Sequence, residues 1–230
     1  MFLITLKYLQ LNRRSVYYIQ MTLLTVKPRR GRPPKNSQNP RDTKAELIRS
    51  GLEQLTENGF AGSGIDLILK KVGVPKGSFY YYFASKEAFG LAVIESYASY
   101  FKRKLDACLL DESSTPLTRM AHYVENAKTG MSRYHFKRGC LVGNLGQEVD
   151  LLPESFRPIL IDIFASWQLR VANCLKAAQS AGEVSTSADC EQLAEYFWIG
   201  WEGAVSRARL VQSTQPLDIY FKHFIAGLPR

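Results

Sequence analysis

The chain has 230 residues, 46% of them apolar, and is long enough to bury a core of one or two domains. Its net charge is +9 at pH 7, but residues 1–83 hold 14 Lys and Arg against 5 Asp and Glu, whereas residues 84–230 hold 16 of each. This asymmetry excludes a uniformly basic protein. It predicts a surface for a polyanion in the first third of the chain.

Residues 1–20 are partly apolar, but Lys7, Arg13 and Arg14 interrupt them. They therefore lack the uninterrupted apolar stretch of roughly 18 residues that a membrane span needs. The basic residues follow the apolar start and no small-residue cleavage site comes after them, which disfavours a secretory signal. We expect translation to begin at Met21, with residues 1–20 an extension or a wrongly assigned gene start, in preference to a targeting function.

Residues 27–41 are rich in proline and basic residues and have no apolar periodicity, which predicts a flexible arm. Within them, Arg30-Gly31-Arg32-Pro33 resembles the AT-hook element. Two arginines of that element enter a narrow minor groove, where the negative potential is concentrated. The alternative is a solvated basic tail that attracts phosphates nonspecifically. We favour DNA contacts by Arg30 and Arg32.

The first complete helix is predicted over residues 43–58. Its apolar residues recur at helical spacing: Ala45, Ile48, Leu52 and Leu55. Thr43 with Glu46 forms a capping-box pattern, and Gly59 ends the helix. We expect this helix to pack against the next two, with Phe60 closing a small three-helix core.

Two short helices joined by a tight turn are predicted next. The first carries one apolar face: Ile65, Ile68, Leu69 and Val72. Ser63 can cap it, Gly73 breaks it, and Pro75 suits the first turn of the second helix. Phe79 and Phe83 lie four residues apart on the buried side of that helix. Its remaining residues are basic, hydroxylated or aromatic: Lys76, Gly77, Ser78, Tyr80, Tyr81 and Tyr82.

This arrangement is the helix-turn-helix pattern, whose second helix enters the major groove of DNA. Three consecutive tyrosines cannot all face one core, because neighbouring helical residues are about 100° apart. A packed aromatic cluster alone would therefore leave at least one tyrosine exposed. The sequence predicts DNA contacts from the polar face and from Ser63.

The run from Gly73 to Phe83, followed by Ser85-Lys86-Glu87, resembles the DNA-binding signature of the tetracycline-repressor (TetR) family of bacterial regulators. The resemblance extends from Thr43 to Glu87. It implies a DNA-binding head on a helical body, a dimer, a palindromic operator, a small organic effector and, by default, repression. It also implies that Lys86 contacts a backbone phosphate.

A long fourth helix is predicted from residue 85 to about residue 110, with Ser85 as its N-cap. It leaves the head and joins the body, so it is the expected carrier of any signal between them. Further helices are predicted over these ranges: 116–133, 141–149, 153–181, 188–211 and 216–226. No β-alternating run is present, so the predicted fold is all-α. The predicted organisation is an extension and arm over 1–42, a helix-turn-helix domain over 43–88 and a ligand-binding and dimerisation domain over 89–230.

The last two helices carry apolar residues at helical spacing: Leu193, Phe197, Trp201, Ala204, Leu210, Leu217, Tyr220, Phe221 and Phe224. The family resemblance implies that they pair with their two-fold mates in a four-helix interface. Independently, one short recognition helix reads too few base pairs, whereas two copies about 34 Å apart read a palindrome. The alternative is a helix pair buried within a monomer.

The stretch Gly139-Cys140-Leu141-Val142-Gly143-Asn144 is similar to a Gly-Cys-Leu-x-Gly-Asn element of a TetR subgroup that answers small organic molecules, some through a reactive cysteine. The predicted effector-binding residues are Tyr97, Phe101, Tyr123, Cys140, Asn144, Trp167 and Trp198. As a sensor, the Cys140 thiolate would be favoured by Arg138, Lys137 and a helix start. As a structural residue, Cys140 would be a small buried hydrophobe.

Two other classes of protein compete with a regulator. Cys140 with His135, or His122 with Glu125, could form a cysteine-dependent or acid–base enzyme, but neither pair has a recognisable motif. A nonspecific architectural DNA-binding protein would explain the arm but not the neutral aromatic body. The four cysteines lack metal-ligand spacing and indicate reduced thiols in the cytoplasm. We predict no cofactor, no metal and no membrane partner.

Overall fold

The computed structural model describes residues 42–230, and every regular element in that range is helical. The elements are α1 Thr43–Asn58, α2 Ile65–Val72, α3 Lys76–Tyr82, α4 Lys86–Leu109, α5 Pro116–Arg133, α6 Leu141–Gln147, a 3-10 turn Val149–Leu151, α7 Phe156–Ser180, α8 Cys190–Val211 and α9 Gln215–Ala226. The predicted all-α class is confirmed. Residues 1–41, with the predicted extension and arm, lie outside the described range.

Two predicted helix caps are wrong. Asp42, and not Thr43, caps α1, because its Oδ1 accepts a hydrogen bond from the Ala45 N–H at 3.0 Å. Helix α2 begins after Gly64, without a side-chain cap. Ser63 is buried instead, and its hydroxyl donates to the Gly59 carbonyl at 2.5 Å. Thr43 is therefore the first residue of α1, and Ser63 stabilises the turn that precedes α2.

The turn between α2 and α3 depends on Gly73. This residue adopts the left-handed conformation, with φ of 73° and ψ of 35°, and its N–H donates to the Leu69 carbonyl at 2.8 Å. Only glycine adopts this conformation without a steric cost. Helix α3 starts at Lys76, one residue later than predicted, because Pro75 is extended and forms the N-cap and not the first turn. The two helices form the helix-turn-helix unit.

Aromatic rings join α3 to the start of α4. The Phe79 and Phe89 ring centroids are 5.2 Å apart, and those of Phe83 and Phe89 are 5.0 Å apart. Helix α1 approaches closely because Gly51 leaves room for the Phe89 ring, which a Cβ at residue 51 would strike. Burial of Phe79, Phe83 and Phe89 thus holds α3 against the start of α4.

The head and the helical body share one continuous apolar core. Phe60 follows α1 and packs edge-on against Phe156 of α7, with ring centroids 4.9 Å apart. Gly90 of α4 faces both rings, and a side chain there would strike them. Phe60 was predicted to close the core of the head. In the structure it also attaches the head to the body.

The body consists of α4 to α9, in which α4 packs mainly against α5 and α7, and α8 packs against α7 and α9. Helix α9 packs on α8 through Tyr220, whose hydroxyl donates to the Phe197 carbonyl at 2.7 Å. Gly200 permits this approach, because a Cβ there would strike the Tyr220 ring. Within residues 42–230, no helix is long and apolar enough to span a membrane.

Three helix boundaries differ from the predictions. Helix α6 ends at Gln147, where the 3-10 turn follows. Helix α7 begins only at Phe156, because a turn precedes it in which the Phe156 N–H donates to the Pro153 carbonyl at 3.0 Å. Helix α8 begins at Cys190, because the Asp189 side chain accepts from the Gln192 N–H at 3.0 Å.

Candidate nucleic-acid interface and effector site

Helix α3 has a buried face and an exposed polar face. Phe79 is 0% exposed and Phe83 is 4% exposed, whereas Tyr81 is 81% and Tyr80 51% exposed. Lys76 and Gly77 are also exposed, and Ser78 and Tyr82 are half-buried. The prediction that three consecutive tyrosines cannot all be core residues is confirmed. The exposed residues Lys76, Gly77, Tyr80 and Tyr81 form a surface of the head, which we call the α3 face.

Two predicted DNA-contacting residues are engaged within the protein. Both polar groups of Ser63 bond to backbone carbonyls, its hydroxyl to that of Gly59 and its N–H to that of Phe60. The Lys86 ammonium donates to the Phe60 carbonyl at 2.7 Å and lies 4.5 Å from the Phe60 ring centroid. Ser63 is buried and cannot present its side chain to DNA in this conformation. Lys86 would have to turn outward to reach a phosphate.

The basic excess of the first 83 residues lies outside the head. Residues 42–83 hold five Lys and Arg and five Asp and Glu, so the head is neutral. Residues 1–41 hold nine basic and no acidic residues, and these account for the whole excess. The polyanion-attracting charge is therefore in the segment that contains Arg30 and Arg32, whose minor-groove role stays a prediction because both lie outside the described residues.

Five of the predicted effector-binding residues are packed together in the body: Tyr97, Phe101, Tyr123, Trp167 and Trp198. Ring centroids are 4.4 Å apart for Phe101 and Trp167, and 5.1 Å for Trp167 and Trp198. We call this group the aromatic cluster. Two clefts in the described range, one between α8 and α9 and one beside α1 and α2, are lined by none of its residues.

Cys140 lies at the start of α6, next to the aromatic cluster. Its sulfur accepts from the Gly143 N–H at 3.3 Å, and the Tyr97 hydroxyl and the Glu202 carboxyl lie near it. Burial, and then the Glu202 carboxylate, raise the pKa of the Cys140 thiol well above its ordinary value. Of the two alternatives for Cys140, the small buried hydrophobe agrees with this burial and the stabilised thiolate does not.

The cation expected to stabilise the thiolate is occupied elsewhere. Arg138 pairs with two carboxylates of α1, at 2.9 Å from Glu57 and 3.3 Å from Glu53. It also lies over the Tyr134 ring, 4.2 Å from the centroid. Arg138 thus joins the body to the head and is directed away from Cys140.

Asn144 contacts protein groups at both ends of its amide. Its Nδ2 donates to the Thr56 carbonyl at 2.9 Å, and its Oδ1 accepts from Arg209 Nη1 at 3.1 Å. It therefore bridges α8 to the last turn of α1. This geometry does not support the predicted effector contact by Asn144.

Comparisons with known proteins follow this division into head and body. The family model described as bacterial regulatory proteins, tetR family, matches residues 47–93, and that described as the tetracyclin repressor-like C-terminal domain matches residues 116–224. The transcriptional regulator AcuR of Cereibacter sphaeroides is 50% identical over 198 residues, which cover 86% of this chain and 90% of AcuR. The chain belongs to the tetR family. It is a DNA-binding transcriptional regulator.

Two further relatives agree with that assignment. The transcriptional repressor DhaR of Mycobacterium sp. strain GP1 is 31% identical over 75% of this chain and 85% of its own length. The crystal structure of the regulatory protein TetR from Rhodobacter sphaeroides has a TM-score of 0.79 at 49% identity, over 81% of this chain and 98% of that one. These relatives are regulators, and the competing enzyme pairs gain no support, since His135 is exposed while Cys140 is buried.

In this tetR-family chain, most of the predicted interface residues on α8 and α9 face inward. Several are buried inside a single protomer: Phe197, Trp201, Ala204, Leu217 and Phe224. All but Ala204, which borders an open cleft between α8 and α9, are at most 3% exposed and have almost no surface for a second copy, so for them the prediction is wrong. Leu210, which was among the predicted residues, is 76% exposed. Four further apolar side chains on these helices are between 48% and 68% exposed: Tyr196, Ile199, Val211 and Ile219.

Two acidic residues at this site were missed from the sequence. Glu202 of α8 contacts α6, and Glu148 accepts hydrogen bonds from Phe60 and Ala61 of the head at 3.0 and 3.2 Å. A signal existed for Glu202, which is an acid four residues after Trp198 on an otherwise apolar face. Glu148 had no such signal, because its partners are backbone amides distant in sequence.

Proposed function

We propose that this regulator represses transcription by binding a palindromic operator as a homodimer, and that a small organic effector releases it. The observation that carries the proposal is the α3 face, on a helix whose opposite face is held by buried phenylalanines. A short helix presented in this way suits the major groove. The protein would act in the cytoplasm, without catalysis and without a cofactor.

The proposed DNA contacts divide into three kinds. Exposed Lys76, Gly77, Tyr80 and Tyr81 are placed to meet base edges and nearby phosphates, with Ser78 and Tyr82 at the margin of the α3 face. Lys86 would exchange its Phe60 carbonyl for a phosphate. Arg30 and Arg32 would supply the minor-groove contact and much of the electrostatic attraction. Ser63 is left out of this set because it is buried.

Dimerisation would use the outer surface of α8 and α9. Its five exposed apolar side chains favour burial against a second copy. A two-fold pair of heads can present two recognition helices about 34 Å apart, one turn of DNA. The symmetry of the protein would then match that of a palindrome.

Effector binding would take place at the aromatic cluster and Cys140. Such a ligand releases DNA only if it binds better to a conformation in which the two heads are wrongly spaced. Helix α4 contributes Tyr97 and Phe101 to the cluster and begins beside the DNA at Lys86, so its tilt would connect the domain over 43–88 with that over 89–230. Covalent sensing at Cys140 and noncovalent sensing remain two forms of this proposal.

The test is a band-shift assay on the DNA upstream of the protein's own gene, with random DNA as competitor. We expect a protein–DNA complex that persists in the presence of the competitor. Small apolar compounds or electrophiles should lower the affinity for the operator by about 5- to 150-fold. Cys140→Ser should keep DNA binding; loss of the response would indicate covalent sensing. Equal binding to random DNA would favour the architectural class. If no compound weakens binding to the operator, the sensor function is contradicted.

A further inference from the structure

Two polar atoms beside the aromatic cluster are buried without a hydrogen-bond partner. They are Oε1 of Glu202 and Nε1 of Trp198. Trp198 is 1% exposed, and the two residues lie one turn apart on the inner face of α8. An unpaired buried donor or acceptor is costly, so each is expected to have a partner in some functional state. An unpaired acceptor and an unpaired donor one helical turn apart indicate a polar ligand.

The Glu202 carboxyl is held against the first turn of α6. A side chain at Gly143 would collide with it, so the glycine provides the space that the carboxyl occupies. Gly143 also donates its N–H to the Cys140 sulfur at 3.3 Å. The same glycine contacts both groups, so it places the carboxyl beside the thiol.

We propose that Glu202 is the proton acceptor for the Cys140 thiol when a small activated alkene, such as an α,β-unsaturated carbonyl compound, adds to the sulfur. This inference rests on the proposed effector function of the same site and assigns a residue that carries its chemistry. A buried neutral thiol is a poor nucleophile, because the thiolate is the reactive form. A carboxylate beside it is the base that the reaction needs.

The addition is balanced without any other reactant. Glu202 takes the proton of the thiol, and the sulfur lone pair forms a bond to the β-carbon of the alkene. The π electrons of the C=C bond move toward the carbonyl to give an enolate, and the Glu202 carboxylic acid returns its proton to the α-carbon. The product is a thioether with the combined mass of protein and alkene, and the carboxylate is regenerated.

Trp198 would stabilise the charge that develops in this reaction. Its indole N–H is a donor without a partner, and a carbonyl oxygen that becomes an enolate is an acceptor of increasing strength. The rings of the aromatic cluster would enclose the rest of a small ligand. The site therefore contains a nucleophile, a base and a donor for the developing oxyanion.

The titratable groups around Glu202 predict how the rate depends on pH. They are Cys140 on α6, Tyr97 on α4 and Tyr123 on α5, and burial raises the pKa of all three. Burial also raises the pKa of Glu202, to about 7. Because only the carboxylate accepts a proton, the addition rate should rise as the pH passes through about 7 and then level off before the thiol itself ionises.

The experiment measures the rate of acrylamide addition to Cys140 of the full chain, by intact-protein and peptide mass spectrometry from pH 5.5 to 9. General-base catalysis typically contributes at least 100-fold. Glu202→Gln should therefore slow addition by about 100-fold and remove the rise near neutral pH. Glu202→Asp, which keeps a carboxylate, should recover part of the rate. Glu95→Gln, at an exposed position on α4, is the matched control and should react as the parent does.

Operator binding and thermal melting of each variant establish that it is folded, and addition in strong denaturant should be equally fast in all. If Glu202→Gln reacts at the parental rate with the parental pH profile, the assignment is wrong. It is also wrong if acrylamide does not add to Cys140 of the folded parent. In either case, release of the parent from its operator by an effector would still support the proposed function, so the two failures are distinguishable.

Discussion

The Glu148 carboxylate, at the end of α6, accepts a hydrogen bond from the backbone N–H of Phe60 over 3.0 Å. It also accepts one from the Ala61 N–H, and two further contacts join the same part of the body to α1, through Asn144 and Arg138. A displacement of α6 would therefore reach the head directly. This connection runs parallel to the continuous helix α4.

The first prediction concerns that connection. Glu148→Ala should lower the free energy of unfolding by about 1–3 kcal/mol, because two charge-assisted hydrogen bonds are lost. Backbone amides of Phe60 and Ala61 should lose protection in hydrogen exchange. Asp150→Ala removes an exposed carboxylate two residues away and should change neither quantity. Equal effects of the two variants would show that the contact does not hold the head.

The second prediction compares two glycines of α6. Gly143→Ala should destabilise the protein by about 1–3 kcal/mol, because the added methyl group collides with Glu202. A Cβ at Gly146 meets nothing within 4 Å, so Gly146→Ala should stabilise the helix by roughly 0.5–1 kcal/mol. Calorimetric melting of both variants checks the opposite signs. A stabilising Gly143→Ala would mean that α6 and α8 are farther apart than described.

The third prediction separates recognition from stability on α3. Tyr81 is 81% exposed, so Tyr81→Ala should leave the melting temperature within about 1 °C of the parent and weaken specific binding by roughly 10-fold or more. Phe79 is 0% exposed, and Phe79→Ala should instead destabilise the chain by about 3–5 kcal/mol. Titration of operator and random DNA with each variant is the measurement. Unchanged discrimination in Tyr81→Ala would contradict its assignment to the recognition surface.

Local signals in the sequence were sufficient to predict most of the fold. The turn at Gly73 and the boundaries of the first helices depend on neighbouring residues, and the structure agrees with them. The residues of the aromatic cluster were predicted as effector-binding side chains because aromatic residues are plentiful in the body, and no local signal showed that they contact one another. The contacts of Asn144 were not predicted, because its partners Thr56 and Arg209 are far away in sequence.

The errors on α8 have a specific cause. This helix is apolar on both sides, so spacing alone cannot distinguish its inward face from its outward face. Phe197 and Trp201 turned out to be buried, whereas Tyr196 and Ile199 are exposed. The same ambiguity concealed Glu202, whose burial depends on the space left by a glycine of another helix.

The fourth prediction follows from the protonation of Glu202. Burial raises its pKa from 4.5 to about 7, so the folded state binds this proton more tightly than the unfolded state does. The resulting stability is present below pH 4.5 and is lost as the pH rises toward 7. Glu202→Gln cannot ionise and should gain up to about 3 kcal/mol relative to the parent between these pH values. Denaturant unfolding at both ends of this range measures the difference; a constant difference would mean that Glu202 ionises normally.

The fifth prediction tests which surface pairs two copies of the chain. Ile199 on α8 is 68% exposed, and Ile161 on α7 is 60% exposed, so each substitution by lysine should cost little in the stability of one protomer. If the outer surface of α8 and α9 forms the dimer, Ile199→Lys buries two unpaired charges at a two-fold contact and should shift the protein to monomers. Ile161→Lys should remain a dimer. Sedimentation measures the mass of each variant, and operator titration should show at least a 10-fold loss for Ile199→Lys alone, because a single head reads only half of a palindrome. A dimeric Ile199→Lys together with a monomeric Ile161→Lys would move the interface to α7.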